Sequence, residues 1–260
     1  MKLNCIEMRS FIDTLIDRVN SPRYLDSEYY EAINSATVMI FEDRVDNIKI
    51  KKNYSFESVQ RVRDELYTLI KTATGAPSSD VVPYPSDYNY AIDVQFTIGT
   101  VTQSARAVSY NEVGLLRRNP FKQTSPEMTF YIEQANGILG KYSGGTFSSY
   151  NLTYLKNPTL VSIGKESDKI GAAGTLTNTI VYIVYEQAVY NGTTYYPGEL
   201  VTGTGAALTS GIVIQRSLTT DSDMPDKIHP EICRLAAAVL SGTVSEYQKR
   251  QQLLQDNNSQ

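Results

Sequence analysis

The pair Asn191-Gly192 restricts this chain more tightly than any other two residues in it. A two-residue hairpin loop of type I′ needs positive φ at both positions, and asparagine followed by glycine supplies that at the lowest steric cost. Ile180–Val189 and Thr193–Val201 flank the pair with β-branched and aromatic side chains, so they are predicted to run antiparallel around it. Pro197-Gly198 then punctuates the return strand, and Gly203-Thr204-Gly205 opens a loop before the apolar run Ile212–Ile214. Residues 189–201 hold no nucleophile, general base or ligand cluster, which points to a scaffold or assembly part.

Away from this hairpin the apolar period changes twice. Met8, Phe11, Ile12, Leu15, Ile16 and Val19 recur at helical spacing and predict a helix over 6–20, stopped near Ser21-Pro22. Tyr30, Ile33, Thr37, Ile40 and Phe41 predict a second over 27–44. A third is expected over 55–74, capped by Ser55 and bearing Val59, Val62, Leu66, Leu69, Ile70 and Ala73. The proline-rich stretch 75–90 connects to alternating Ile92, Val94, Phe96 and Ile98, the pattern of a half-solvated strand, with Ala105–Val108 as its expected neighbour. Ser109 and Glu112 have capping-box spacing and predict a short helix over 111–118, closed by Asn119-Pro120. Thr129–Glu133 and Gly137–Lys141 flank Asn136-Gly137 and read as a further hairpin, while Leu152–Leu155 and Leu160–Ile163 read as strand segments interrupted by Asn157-Pro158. Pro230 and Glu231 suit a helical first turn, and Ile232, Ala236, Val239, Leu240, Val244 and Tyr247 continue an apolar face, so a terminal helix is expected over 230–252.

The expected fold class is therefore α+β, with N-terminal helices, a central and mostly antiparallel β body over 90–218, an added hairpin module and a long C-terminal helix. The expected divisions are 1–74 for the helices, 75–164 for the β core, 165–218 for the hairpin module and 219–260 for the last helix with its polar tail.

Composition narrows the function classes. A formal charge of −4 argues against a broad nucleic-acid footprint, because phosphate-binding surfaces cluster lysine and arginine. The short basic runs Lys49–Lys52 and Arg117-Arg118 read as solvated faces. Cys5 and Cys233 form no C-x-x-C pair, so neither a disulfide framework nor a thiolate metal site is implied, and a reduced folding compartment fits. There is no apolar signal core at MKLNCIEMRS and no 18-residue apolar run, so no membrane span is expected. The chain lacks G-x-S-x-G, G-x-G-x-x-G and G-x-x-x-x-G-K-[ST] motifs. His229, the only histidine, stands without spaced partners and reads as a capping or interface residue; the pairs Glu42-Asp43 and Asp221/Asp223 read as loop charge. No enzyme activity, cofactor or metal is expected.

Two groups are candidate contact surfaces. Arg106, Asn111, Glu112, Arg117 and Arg118 surround the predicted short helix, with Phe121 as an aromatic anchor beside them. Tyr182, Tyr185, Tyr190, Tyr195 and Tyr196 belong to the hairpin of a chain with 19 tyrosines and no tryptophan, and tyrosine is enriched at interfaces. The same tyrosines fit a carbohydrate- or receptor-binding β-module, since aromatic faces contact sugars.

Five segments, PYPSDYNY at 83–90, ARAVSYNEVGLLRRNPF at 105–121, NLTYLKNPTLVSI at 151–163, VYNGTTYYPGEL at 189–200 and IHPEICRLAAAVLSG at 228–242, together resemble the ring or connector proteins of crAss-like tailed bacteriophages. The resemblance implies a non-enzymatic virion protein, made in the infected bacterial cytoplasm and assembled into a homo-oligomeric ring, commonly a dodecamer, in the head-to-tail connector or tail. Its implied partners are the portal and neighbouring ring proteins, with transient contact to packaged DNA. It also implies that Asn111, Glu112, Asn119, Pro120 and Phe121 belong to a characteristic loop, and Ile228–Ala238 to a packing helix.

Overall fold

The computed structural model describes residues 3–16, 24–50, 64–78, 80–112, 129–141 and 146–241, without the side chains of 47–50. Over these residues the chain is α+β. Its described strands pair antiparallel except for one short parallel match, Arg106↔Phe130 and Ala107↔Tyr131. The chain divides into two compact units, residues 69–157 and residues 1–68 with 158–260.

The unit of residues 69–157 is built from two four-stranded sheets. One runs β1 (Ile70–Gly75), β8 (Ser149–Lys156), β3 (Tyr88–Ile98), β4 (Val101–Ser104); the other runs β2 (Val81–Val82), β7 (Gly137–Lys141), β6 (Phe130–Gln134), β5 (Arg106–Ala107). Val94, Phe96 and Leu152 from the first sheet and Val82, Tyr131 and Ile138 from the second meet in one buried cluster with Phe147. Each such side chain contributes about 1.5–3 kcal/mol by leaving water. Phe96 and Phe147 stack at 4.2 Å over Gly140, where a β-carbon would stand 2.4 Å from the Phe147 ring, so only glycine admits the pair.

Two sequence expectations fail in this unit. The third helix does not persist to 74: Tyr67–Leu69 is a 3-10 turn and Ile70–Gly75 is strand β1, paired with β8 from Ile70↔Leu155 to Gly75↔Tyr150. Leu66 and Leu69 are buried as a helical stripe would place them, but a full ladder of backbone partners overrides the local period. Its first part, 55–63, lies outside the described residues. The neighbour of β3 is Val101–Ser104, reached through a tight Gly99-Thr100 turn, and not Ala105–Val108. Ala105 still donates to Val94 O at 2.7 Å, after which Arg106–Ala107 joins the other sheet. The 129–141 hairpin forms with its loop at Ala135-Asn136, one residue earlier than Asn136-Gly137, because Gln134 pairs with Gly137.

In the other unit, α1 (Cys5–Leu15) begins at a capping box: Asn4 Oδ1 accepts from Glu7 N at 2.9 Å while Asn4 N donates to Glu7 Oε2 at 2.8 Å. The second helix, α2 (Asp26–Ile50), buries Tyr30, Ile33, Thr37, Ile40 and Phe41, the predicted face, and runs beyond the expected end at 44. The C-terminal helix, α3 (His229–Leu240), has Pro230 in its first turn and packs on α1 and α2; the expected extension to 252 lies outside the described residues.

The sheet of this unit orders β11 (Thr193–Tyr195), β10 (Val181–Tyr190), β13 (Ser210–Gln215), β9 (Lys169–Ile170), with β12 (Leu200–Thr202) also on β10. Asn191 at φ 49° and Gly192 at φ 77° close the hairpin as their sequence requires. Pairings Ala188↔Tyr195 and Tyr182↔Val201 share one register, so Thr193–Thr202 is a single return strand interrupted at Pro197-Gly198. Leu176, Tyr182, Val184, Ala188, Tyr190, Val201, Leu208 and Val213 form the core beneath one face.

His229 proves to be interior rather than an interface residue. It is fully buried: Nδ1 accepts from Leu3 N at 3.0 Å, and Nε2, which then carries the proton, donates to Met224 O at 2.9 Å. Cys5 and Cys233 are free, buried thiols, both pushed up to about 12 by burial, with the Asp221 charge adding to the effect at Cys5.

Candidate functional site

A charged cluster gathers four elements of the helix-and-hairpin unit around Asp26. Asp26 opens α2, where a carboxylate complements the partial positive charge of the helix N-terminus. Lys169 of β9 donates to its Oδ2 at 2.5 Å, Arg9 of α1 lies 3.4 Å from Oδ1, and the Tyr185 hydroxyl donates to Oδ1. Tyr185 arrives there from a β-bulge: β10 advances two residues from Val184 to Glu186 while β13 retreats one, leaving Tyr185 unpaired. The Arg9 guanidinium covers the Tyr185 ring at 4.6 Å and the Tyr29 ring at 5.3 Å, and Lys169 Nζ lies 4.0 Å from the Tyr185 centroid. Glu166 takes the remaining reach of Lys169 at 2.6 Å.

Burial works against charge on Asp26, but the hydrogen bonds of Lys169 and Tyr185 and the positive charges of Arg9 and Lys169 outweigh it and hold the carboxyl below its usual range. Burial pulls Lys169 down, but its hydrogen bonds to Asp26 and Glu166 and their negative charges outweigh it and hold the amine above the usual lysine range. Burial and the hydrogen bond to Asp26 push the Tyr185 phenol up. At neutral pH the cluster thus holds the Asp26 carboxylate saturated by donors, two cations and a locked phenol, with the Glu166 carboxylate at its exposed edge. Beside it opens a groove of about 770 Å³ lined by residues including Tyr24, Ser27, Ile163 and Ile212.

The remaining carboxylates singled out in the sequence have separate structural tasks. Asp221 Oδ1 accepts from Cys5 N at 2.9 Å, at the start of α1, while Arg216 holds its other oxygen. Asp223 accepts from Thr159 N at 2.8 Å and from Thr159 Oγ1 at 2.6 Å. Asp43 meets Arg44 at 3.5 Å, and Arg44 reaches Glu231 on α3 at 3.2 Å. Among the described residues, no three histidine, cysteine, aspartate or glutamate side chains converge on a point that could hold a metal.

The two expected contact groups fare differently. Arg106, Asn111 and Glu112 are exposed, and the Ser109–Glu112 capping box is present: Ser109 N donates to Glu112 at 2.8 Å and Glu112 N to Ser109 Oγ at 3.4 Å. Arg117, Arg118 and Phe121 lie outside the described residues. In the hairpin, Tyr182, Tyr185 and Tyr190 are buried, at 2%, 4% and 2% exposure, so they pack the unit rather than rim a contact. Their hydroxyls serve inside it, Tyr182 accepting from Thr177 N at 3.0 Å and Tyr190 from Thr204 N at 2.7 Å. Tyr195 is half-buried and Tyr196 is 58% exposed, with Leu200 at 57% nearby on the same return strand. The sequence reading missed Arg9 and Lys169. Neither belongs to a motif, and only the bulge and the end of α2 bring them together.

Tyr30, one turn beyond Asp26, is 6% exposed, and its hydroxyl has no hydrogen-bond partner among the described residues. Its phenol is pushed up by burial. Tyr30→Phe removes a desolvated, unsatisfied hydroxyl and is expected to stabilise the protein by about 1 kcal/mol. A urea midpoint equal to or below that of the parent would refute this.

No protein family matches the chain, and no curated protein matches it. Among the described residues no helix is long and apolar enough to cross a membrane.

Proposed function

We propose that this chain is a structural virion protein, one protomer of an oligomeric ring in the head-to-tail connector or tail of a tailed bacteriophage, and not an enzyme. One observation supports the non-catalytic half of the reading: the Asp26 cluster spends its charges on one another, tying α1, α2, β9 and β10 together. A ring protomer needs such rigidity, because a closed ring forms from two different complementary patches set at a fixed angle on every copy. The ring half rests on the resemblance of the five segments quoted above. A twelvefold ring contacting portal and neighbouring ring proteins is the form that the resemblance favours, and a virion location goes with it. The net charge of −4 suits a wall past which packaged DNA slides without binding.

The exposed pair Tyr196 and Leu200 supports the second reading, a carbohydrate- or receptor-binding module of a phage tail. Imaging of intact phage particles with the chain labelled separates the two. The ring reading expects annular density on the tail axis; label confined to peripheral fibres as monomers or trimers would replace it with the receptor-binding one.

A further inference from the structure

Leu160 is held in place yet left in water. On one side Thr159 donates twice to Asp223, at 2.8 and 2.6 Å. On the other, Asn34 of α2 clamps the Val161 backbone in both directions, its Oδ1 accepting from Val161 N at 2.7 Å and its Nδ2 donating to Val161 O at 2.9 Å. Between these clamps the Leu160 side chain is 51% exposed. Val38 and Met39, one turn along α2 from Asn34, are 38% and 39% exposed beside it. The three border a groove of about 680 Å³ whose lining includes Glu31 and Glu42. An apolar centre fixed by side-chain-to-backbone bonds loses little conformational freedom when covered, which is what a docking surface requires.

We propose that this α2 face is the seat for Arg117–Phe121 of a second copy of the chain, so that each protomer offers both a groove and a segment that fills a neighbour's groove. The inference rests on the ring reading. Charge selects the occupant: Glu31 and Glu42 flank an apolar centre, and Arg117-Arg118 precede Phe121 by three to four residues. In extended chain that spacing spans about 10–13 Å. Along α2, Val38 lies seven residues from Glu31, about 10 Å. Phe121 over Val38, Met39 and Leu160 therefore brings the arginines level with Glu31. Aromatic and arginine side chains are the residues that most often dominate binding energy at such contacts, and methionine adapts its shape to an inserted ring.

The test mixes two variants of the full chain that each add one cysteine, Leu160→Cys in one and Phe121→Cys carrying a mass tag in the other, under mild oxidation. Both native thiols are buried, at 0% exposure. A disulfide-linked dimer containing one of each is expected, in excess of either homodimer. Glu31→Lys with Glu42→Lys in the Leu160→Cys partner should lower its yield by about tenfold, and Arg117→Glu with Arg118→Glu in the other should restore it. Three results each overturn the seat: no excess of the mixed dimer, no response to charge reversal, or a chain carrying both cysteines that links only within itself. Rings seen by electron microscopy without the mixed disulfide would leave the ring reading standing and the seat wrong. Mixed dimers that never close into rings would support the seat and count against the ring.

Discussion

Gly211→Ala is expected to destabilise the protein by about 3 kcal/mol, while Gly205→Ala, at nearly the same backbone angle, costs only about 1 kcal/mol. Gly211 has φ +87° and Gly205 φ +83°, so both substitutions meet the same left-handed strain. Their surroundings differ. A β-carbon on Gly211 would stand 2.3 Å from Gln187 O and 2.5 Å from Ala188 Cα, both backbone atoms, whereas nothing lies within 4 Å of Gly205. Gly211 faces a bulge in β10, where Glu186 pairs with Ile212 and Val189 with Ser210, so an added methyl group pushes the strand that carries Tyr185 and the hairpin core. Urea unfolding of the two variants beside the parent measures the difference. Equal midpoints would show that the close approach of β13 to the bulge does not constrain the fold.

What the sequence revealed and what it hid divides along range of interaction. Asn191-Gly192 specifies its own turn from φ preferences, and the β-branched strands around it need no distant information to pair. The buried stripe Tyr30, Ile33, Thr37, Ile40 and Phe41, the Ser109–Glu112 box and Pro230 in the first turn of α3 were legible for the same reason: each is a local period or cap. Ile70–Gly75 was misread because its apolar residues continue a helical spacing, while its partner, β8, lies some eighty residues on and supplies a full ladder that no local rule anticipates. The site was harder still. Tyr185 was visible as one tyrosine among many, but Asp26 stood one residue outside the helix expected over 27–44, and Lys169 and Arg9 join them only through a two-residue strand and a bulge. The tyrosine bias itself misled: Tyr182, Tyr185 and Tyr190 combine apolar area with a hydroxyl that finds internal partners, the same chemistry that suits an interface.

Asp26→Ala is expected to cost about 3 kcal/mol and to lower Tm by roughly 6–12 °C, because removing one partner leaves Lys169 and Arg9 facing each other without the anion between them. The value sits at the low end for a broken buried pair since the Asp26 side chain keeps 22% exposure. Its pH dependence follows from the shifts. Asp26 is held below its usual range, so its contribution is complete above the unfolded carboxylate value near pH 4 and disappears as the pH falls through the lower folded value. Lys169 and Tyr185 are both raised, so their contributions are complete below the unfolded values, about 10, and disappear as the pH rises toward the folded ones. The stability gap between parent and Asp26→Ala should therefore be flat from about pH 5 to 9 and narrow outside that window at either end. Pairing Asp26→Leu with Lys169→Met removes both charges, and the double variant should lose less than the sum of the single losses, since apolar replacements of a buried pair are often close to neutral. Additive losses would mean that the two groups do not act on each other. A gap that widened in acid would mean that the carboxylate, against its geometry, is destabilised by its neighbours.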